Sequence, residues 1–143
     1  MAPSSSVPTS LAPASARVVL ADDHQLMRRL LRRALAAQPT LRIVGEAADG
    51  AQALELARAL APDLVVLDLA MPELNGLEVA SALRASFPEC AILVFSAAEA
   101  ARAESAALRS GADRYLEKTA GFQAAAQAAA ALALSRRRAA SGP

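Results

Sequence analysis

With 143 residues, the chain has the length of one domain of ordinary size, which excludes most two-domain enzymes. Hydrophobic residues make up 55% of the sequence and charged residues 20%, so there is enough apolar material for a buried core. A net charge of +1, the absence of Trp and an aromatic content of 3% disfavour a protein whose main task is to bind nucleic acid.

The two ends of the chain differ from its middle. Residues 1–16 are rich in Pro, Ser and Ala and carry no charged side chain, which predicts a flexible leader rather than a secretory signal. The Ala-rich stretch 119–134 is too short for a membrane span. The only cysteine, Cys90, fits a reducing compartment and is interpreted as a small buried hydrophobic residue. We therefore expect a cytoplasmic protein with one domain over residues 17–135 and a basic, frayed tail over residues 136–143.

Between these ends, short aliphatic runs alternate five times with longer stretches of helical periodicity. The predicted strands cover residues 17–21, 41–47, 63–68, 91–95 and 114–117. The predicted helices cover about 26–38, 50–60, 77–86 and 98–110, and a fifth begins at Thr119 or Ala120. Strict alternation with short connections predicts an α/β domain, a doubly wound (βα)5 unit with a five-stranded parallel sheet.

Polar residues follow four of the five predicted strands. Asp22 and Asp23 follow the first, Asp68 ends the third, Ser96 follows the fourth and Lys118 follows the fifth. The flavodoxin-like strand order 2-1-3-4-5 makes these four ends contiguous, at the edge where such sheets bind ligands. Three carboxylates in one crevice need a compensating cation, and Mg²⁺ suits oxygen ligands. Asp68, at the centre, is the candidate nucleophile for a phosphoryl group, with Lys118 and Ser96 as partners for its oxygens.

Further motifs accompany these strand ends: Asn75-Gly76 after the segment 68–72, Ala97 after Ser96, and Gly111-Ala112 ahead of Tyr115. In this order they resemble the receiver domain of two-component response regulators, over nearly the whole predicted domain. The stretches 20–24 and 45–50 are most similar to receivers of NarL-type transcription factors. We find no counterpart of their helix-turn-helix DNA-binding domain, so the resemblance suggests a single-domain regulator that does not itself contact nucleic acid.

The resemblance implies a CheY-like fold and a phosphorylation switch. Asp68 would accept a phosphoryl group from a histidine kinase or a histidine phosphotransfer protein. Mg²⁺ would be held by Asp23, Asp68 and the backbone carbonyl of Ala70, with Asp22 assisting through water. Such a chain is a phosphoacceptor with self-catalysed phosphotransfer and autodephosphorylation rather than an enzyme acting on external substrates.

The resemblance also implies how the signal would leave the site. Ser96 and Lys118 would contact the new phosphoryl group, and Tyr115 would turn inward as Ser96 moves. The change would reach the face formed by helix four, strand five and helix five, where a downstream protein partner would bind.

Plainer interpretations stay open beside these. Asp22 and Asp23 could only cap a helix, Ser96 could belong to an ordinary loop, and Tyr115 could simply pack. At the level of the whole chain, the alternatives are a phosphorylation-independent interaction module and the receiver fragment of a longer NarL-type transcription factor. A hydrolase of the haloacid dehalogenase type is disfavoured because Ala70 stands where those enzymes need an acid.

Overall fold

The computed structural model describes residues 15–72, 74–97 and 100–141, so nearly all of the predicted leader lies outside the described residues. The described residues form five strands: β1 (Ala16–Ala21), β2 (Leu41–Ala47), β3 (Leu64–Leu67), β4 (Ala91–Ser96) and β5 (Arg114–Glu117). The helices between and after them are α1 (Gln25–Ala36), α2 (Gly50–Leu60), α3 (Gly76–Ser86), α4 (Ala100–Arg109) and α5 (Phe122–Ser141). A 3₁₀ turn, Lys118–Ala120, precedes α5.

The five strands form one parallel sheet in the order β2-β1-β3-β4-β5, which confirms the predicted order. Ala21 at the end of β1 pairs with Ala47 of β2 on one side and with Leu67 of β3 on the other. Ser96 at the end of β4 pairs with Glu117 of β5. All five strands therefore end at one edge of the sheet, the carboxyl edge.

Successive residues of a strand point to opposite faces of the sheet, and both faces are apolar here. Helices therefore cover both faces. One core layer joins Val19, Val65 and their neighbours to the buried residues of α2, α3 and α4. The other joins Leu20, Val66 and their neighbours to α1 and α5. All four residues of β3 are buried, as the uninterrupted aliphatic run predicts for a central strand.

Helix α5 differs from the prediction at both ends. Its start is delayed because Gly121, at φ +94°, separates it from the 3₁₀ turn. The helix then runs to Ser141, so residues 136–141 are helical where a frayed tail was expected. High alanine content favours this continuation, and Arg136 is held by Asp113 at 2.7 Å. No helix in the described part of the chain is both long and apolar enough to cross a membrane.

Cys90 lies in the first core layer with 4% of its surface exposed, as interpreted from the sequence. Its Sγ contacts the carbonyl oxygen of Ala91 at 3.4 Å. Burial raises the pKa of the thiol to about 11, against a smaller opposing effect of Arg84. The cysteine is therefore a packing residue held in its protonated, unreactive form.

The opposite edge of the sheet is fastened by Arg84 of α3. Its guanidinium donates to the carbonyl oxygens of Pro88 at 2.8 Å, Cys90 at 2.9 Å and Gly111 at 2.9 Å. It also forms an ion pair with Asp113 at 2.7 Å. One side chain thus joins α3 to the loops that lead into β4 and β5.

Replacing Arg84 by Ala is expected to lower the free energy of unfolding by about 2–4 kcal/mol, because three carbonyl groups lose their donor. Urea unfolding followed by circular dichroism measures the change. Arg58→Ala is the control, since Arg58 is exposed and should change stability by less than about 0.5 kcal/mol. Equal stability of the Arg84→Ala variant and the wild type would contradict the stabilising role of the Arg84 hydrogen bonds.

Candidate functional site

The carboxyl edge gathers the polar side chains that the sequence placed at strand ends. The hydrogen-bond ladder of the sheet continues one residue past β1 and β3. The Asp22 N–H donates to the carbonyl oxygen of Ala47 at 3.1 Å, and the Asp68 N–H donates to the carbonyl oxygen of Ala21 at 2.9 Å. The two acids therefore start from fixed backbone positions on neighbouring strands, which explains why their carboxylates converge.

Asp68 is 5% exposed, and its carboxylate accepts hydrogen bonds from three segments of the chain. Oδ1 accepts from the Ser96 hydroxyl at 2.9 Å and from the Ala70 N–H at 3.2 Å. Oδ2 accepts from Lys118 Nζ at 3.1 Å. Because donors hold both oxygens, the carboxylate has one defined orientation at the centre of the site.

Lys118 bridges two buried acids. Its ammonium lies 2.8 Å from Asp22 Oδ2 and 3.1 Å from Asp68 Oδ2, and Asp22 is 3% exposed. Burial alone lowers the pKa of Lys118, but the hydrogen bond to Asp22 and the charge of Asp68 outweigh it and leave the pKa above its ordinary value. The lysine is therefore firmly cationic.

Asp22, Asp23 and Asp68 place one carboxylate oxygen each within 4.8 Å of one another. Asp22 and Asp68 are buried, whereas Asp23 is exposed, so the cluster opens to solvent on one side. Lys118 contacts two of these three carboxylates with one positive charge, so the cluster keeps an excess of negative charge. An oxygen-rich, negatively charged set of this kind fits a hard divalent cation such as Mg²⁺.

The loop after Asp68 is closed by Asn75 and Gly76. Asn75 caps α3 in a capping box with Glu78, whose carboxylate accepts from the Asn75 N–H at 3.2 Å. A Cβ at position 76 would lie 2.5 Å from the carbonyl oxygen of Asp68 and 2.5 Å from the Cα of Leu69. Only glycine lets α3 begin this close to the backbone of the central acid.

His24 has a role at the start of α1 that its residue type did not predict. Its Nδ1 accepts from the Met27 N–H at 3.3 Å, so His24 is the N-cap of α1. The His24 N–H donates to Asp22 Oδ1 at 2.9 Å. The plain interpretation of Asp22 and Asp23 as the helix cap is therefore wrong, and the Asp22 carboxylate is used by Lys118 and by the turn into α1. An acid two residues before the N-cap is the local signal for such a turn.

Tyr115, the only tyrosine of the sequence, is 7% exposed and belongs to the core layer that includes α4. Burial raises the pKa of its phenol, and the charges of Glu117, Glu104 and Asp68 add to the effect. The ring already lies inside in this structure. Its movement with Ser96 stays a prediction.

The phenol of Tyr115 should ionise at higher pH in the folded protein than the ordinary value of 10.0 found in unfolded chains. Since the folded pKa is the raised one, the contribution to stability is complete below the unfolded pKa and is lost as pH rises through the folded pKa. Titration of phenolate absorbance, with and without denaturant, measures the difference directly. The Tyr115→Phe variant supplies the baseline, and identical titration of the folded and denatured chains would contradict the prediction.

Comparison with known proteins identifies relatives along most of the chain. The response regulator receiver domain family matches residues 18–130. The nitrate/nitrite response regulator protein NarL of Escherichia coli (strain K12) is 42% identical over 103 residues, which cover 72% of this chain and 48% of that protein. Protein-glutamate methylesterase/protein-glutamine glutaminase 4 of Myxococcus xanthus is 40% identical over 106 residues, which cover 73% of this chain and 30% of that enzyme. The chain thus spans about half the length, or less, of these curated relatives.

Solved structures agree with this result. The receiver domain of the response regulator NarL from Mycobacterium tuberculosis superposes with a TM-score of 0.80 at 38% identity, covering 85% of this chain and 98% of that one. The response regulator domain of Thermotoga maritima CheB superposes with a TM-score of 0.73 at 32% identity, covering 90% of this chain and 98% of that one. The chain belongs to the response regulator receiver domains of two-component signalling, a family characterised by phosphorylation on an aspartate.

Proposed function

We propose that this chain is a Mg²⁺-dependent phosphorylation switch of a cytoplasmic two-component pathway, with Asp68 as the phosphoacceptor. The observation that carries the proposal is the Asp68 carboxylate, which is buried and held by Ser96 and Lys118 beside two further acids. A carboxylate oxygen of Asp68 attacks the phosphorus of a phosphohistidine on a histidine kinase or a histidine phosphotransfer protein. The new O–P bond replaces the N–P bond, whose electron pair stays on the imidazole nitrogen, and that nitrogen takes up a proton from solvent.

The chain's own residues prepare this transfer. Asp23, Asp68 and the backbone carbonyl of Ala70 would hold Mg²⁺, with Asp22 assisting through water. When bound, the ion neutralises the acids and the oxygens of the phosphoryl group. The ammonium of Lys118, already fixed against two carboxylates, supplies a second positive charge, and Ser96 supplies a hydroxyl donor.

Asp68 has two roles in the proposed switch: its carboxylate holds Ser96 and Lys118, and it is also the group that becomes phosphorylated. Phosphorylation adds charge to the carboxylate that Ser96 and Lys118 now contact, so both must rearrange. Ser96 is paired with Glu117 on β5, and Tyr115 lies two residues before Glu117 on the same strand. A shift at Ser96 therefore reaches the face of α4, β5 and α5, where we place the contact with a downstream protein.

The match to only about half of the NarL sequence favours a second form of the same proposal. In that form the chain is the receiver part of a longer NarL-type transcription regulator, and the output is a DNA-binding domain rather than a separate protein. The chemistry at Asp68 is the same in both forms.

Incubation with acetyl phosphate and Mg²⁺ should add one phosphoryl group to the wild-type chain, measured as intact mass. Asp68→Asn, which keeps the shape of the side chain, should abolish the addition, as should removal of Mg²⁺ by a chelator. Asp49→Asn is the matched control, because Asn still caps α2 and leaves the site acids in place. Absence of any addition to the wild type would favour a phosphorylation-independent interaction module.

The fluorescence of Tyr115 should change when beryllofluoride and Mg²⁺ are added, because the phosphoryl mimic on Asp68 displaces Ser96 and alters the surroundings of the ring. The sequence has no Trp and no second Tyr, so the signal has one source. The Asp68→Asn variant should show no change. A fluorescence change of equal size in the Asp68→Asn variant would contradict the prediction, because the signal would then not depend on Asp68.

A further inference from the structure

Arg28 of α1 reaches back to the acidic pair at the end of β1. Its Nη1 donates to the backbone carbonyl oxygen of Asp22 at 2.6 Å. Its Nε donates to Glu46 Oε1, at the end of β2, at 3.2 Å. The Arg28 side chain is 18% exposed, so these contacts are largely shielded from water.

The carbonyl that Arg28 holds belongs to the peptide unit between Asp22 and Asp23. The other backbone group of Asp22, its N–H, is bonded to Ala47 of β2 at 3.1 Å. Both backbone polar groups of Asp22 are therefore connected to β2. The N–H is bonded to β2 directly, and the carbonyl is connected to it through Arg28 and Glu46. Because a peptide unit is planar, fixing its carbonyl also fixes where the backbone of Asp23 begins.

Asp23 needs such support more than its neighbours do. Asp22 and Asp68 are buried and bonded to Lys118, whereas Asp23 is exposed, yet its carboxylate lies within the 4.8 Å cluster. An exposed side chain stays in such a cluster of like charge only if its backbone directs it there. Two described side chains bond to the backbone on either side of Asp23: the Asp22 carboxylate accepts from the His24 N–H, and Arg28 donates to the Asp22 carbonyl oxygen.

We propose that Arg28, anchored by Glu46, is a positioning residue that orients the peptide between Asp22 and Asp23 and so presets Asp23 for a divalent cation. This inference rests on the proposed function. It adds to that function a residue that contacts neither the ion nor the phosphoryl group and acts through the backbone of the metal-binding pair.

The direction in which cation affinity changes when Arg28 is removed distinguishes a positioning role from an effect of its charge alone. Arg28 carries a positive charge close to the acids, so its removal by charge alone would tighten the binding of a cation. Loss of positioning would weaken binding instead. An outer-shell contact that orients metal ligands typically changes metal affinity by about 10-fold or more.

Arg32 provides a matched control. It lies one turn further along α1 and pairs with the same Glu46 through Oε2 at 3.3 Å, but its side chain is 61% exposed. Arg32→Ala and Arg28→Ala each remove one positive charge and one bond to Glu46. They differ because only Arg28 also donates to the Asp22 carbonyl among the contacts of the described residues.

The experiment compares wild type, Arg28→Ala, Arg28→Lys and Arg32→Ala, each checked for folding by thermal unfolding. One readout is the Mg²⁺ dissociation constant from titration calorimetry, and the other is the ¹⁵N order parameter of the Asp23 amide without Mg²⁺. We expect Arg28→Ala to weaken Mg²⁺ binding by about 10-fold and to loosen the Asp23 amide. Arg32→Ala should change binding by less than about twofold. Arg28→Lys keeps the charge but not the fixed fork, and should be affected in the same direction to a smaller extent.

Unchanged or tighter Mg²⁺ binding by Arg28→Ala, with wild-type order at Asp23, would overturn the inference. If Arg28→Ala does not fold, the same outcome in Arg28→Lys would overturn it. A wild-type protein that binds no Mg²⁺ would overturn the proposed function instead, and an Asp23 amide loosened only in the Arg28 variants would still support the positioning role.

Discussion

The structure depends on one interaction, the contact of the Lys118 ammonium with two buried carboxylates. Asp22 and Asp68 are each almost fully buried, and a buried charge is costly unless it is paired and hydrogen-bonded. Lys118 pairs with Asp22 across 96 positions of sequence and with Asp68 across 50. The strand order β2-β1-β3-β4-β5 and the 3₁₀ turn that begins at Lys118 are what bring these groups together.

The two edges of the sheet differ in their electrostatics. At the edge opposite the site, the guanidinium of Arg84 donates to three carbonyl oxygens and to Asp113, so its hydrogen-bonding groups are satisfied. At the carboxyl edge, the three clustered acids and Glu46 outnumber Lys118, Arg28 and Arg32, so the balance is negative. Fully satisfied polar contacts stabilise a fold, whereas an unbalanced cluster responds to an added cation or phosphoryl group. The contacts that stabilise the fold and the proposed switch therefore lie at opposite ends of the strands, with the switch at the carboxyl edge.

Much of the architecture could be predicted from sequence because aliphatic runs and helical periodicity are local. The five strands begin and end within one residue of the predicted bounds, and β3 is buried as its pattern indicated. The errors lie at helix ends, where backbone geometry decides. Gly121 at positive φ delays α5, and pairing of Arg136 with Asp113 accompanies its continuation to Ser141.

The sequence by itself determined which residue types follow each strand, and with them the acidic pair, the central Asp68, Ser96 and Lys118. Only the tertiary structure decided how they are connected: that Lys118 touches both Asp22 and Asp68, that His24 and not the acids caps α1, and that Arg28 holds the Asp22 carbonyl. The reason is physical. Periodicity records which side of an element is buried, whereas a hydrogen bond between distant segments depends on how helices and strands pack and on which rotamer that packing leaves open.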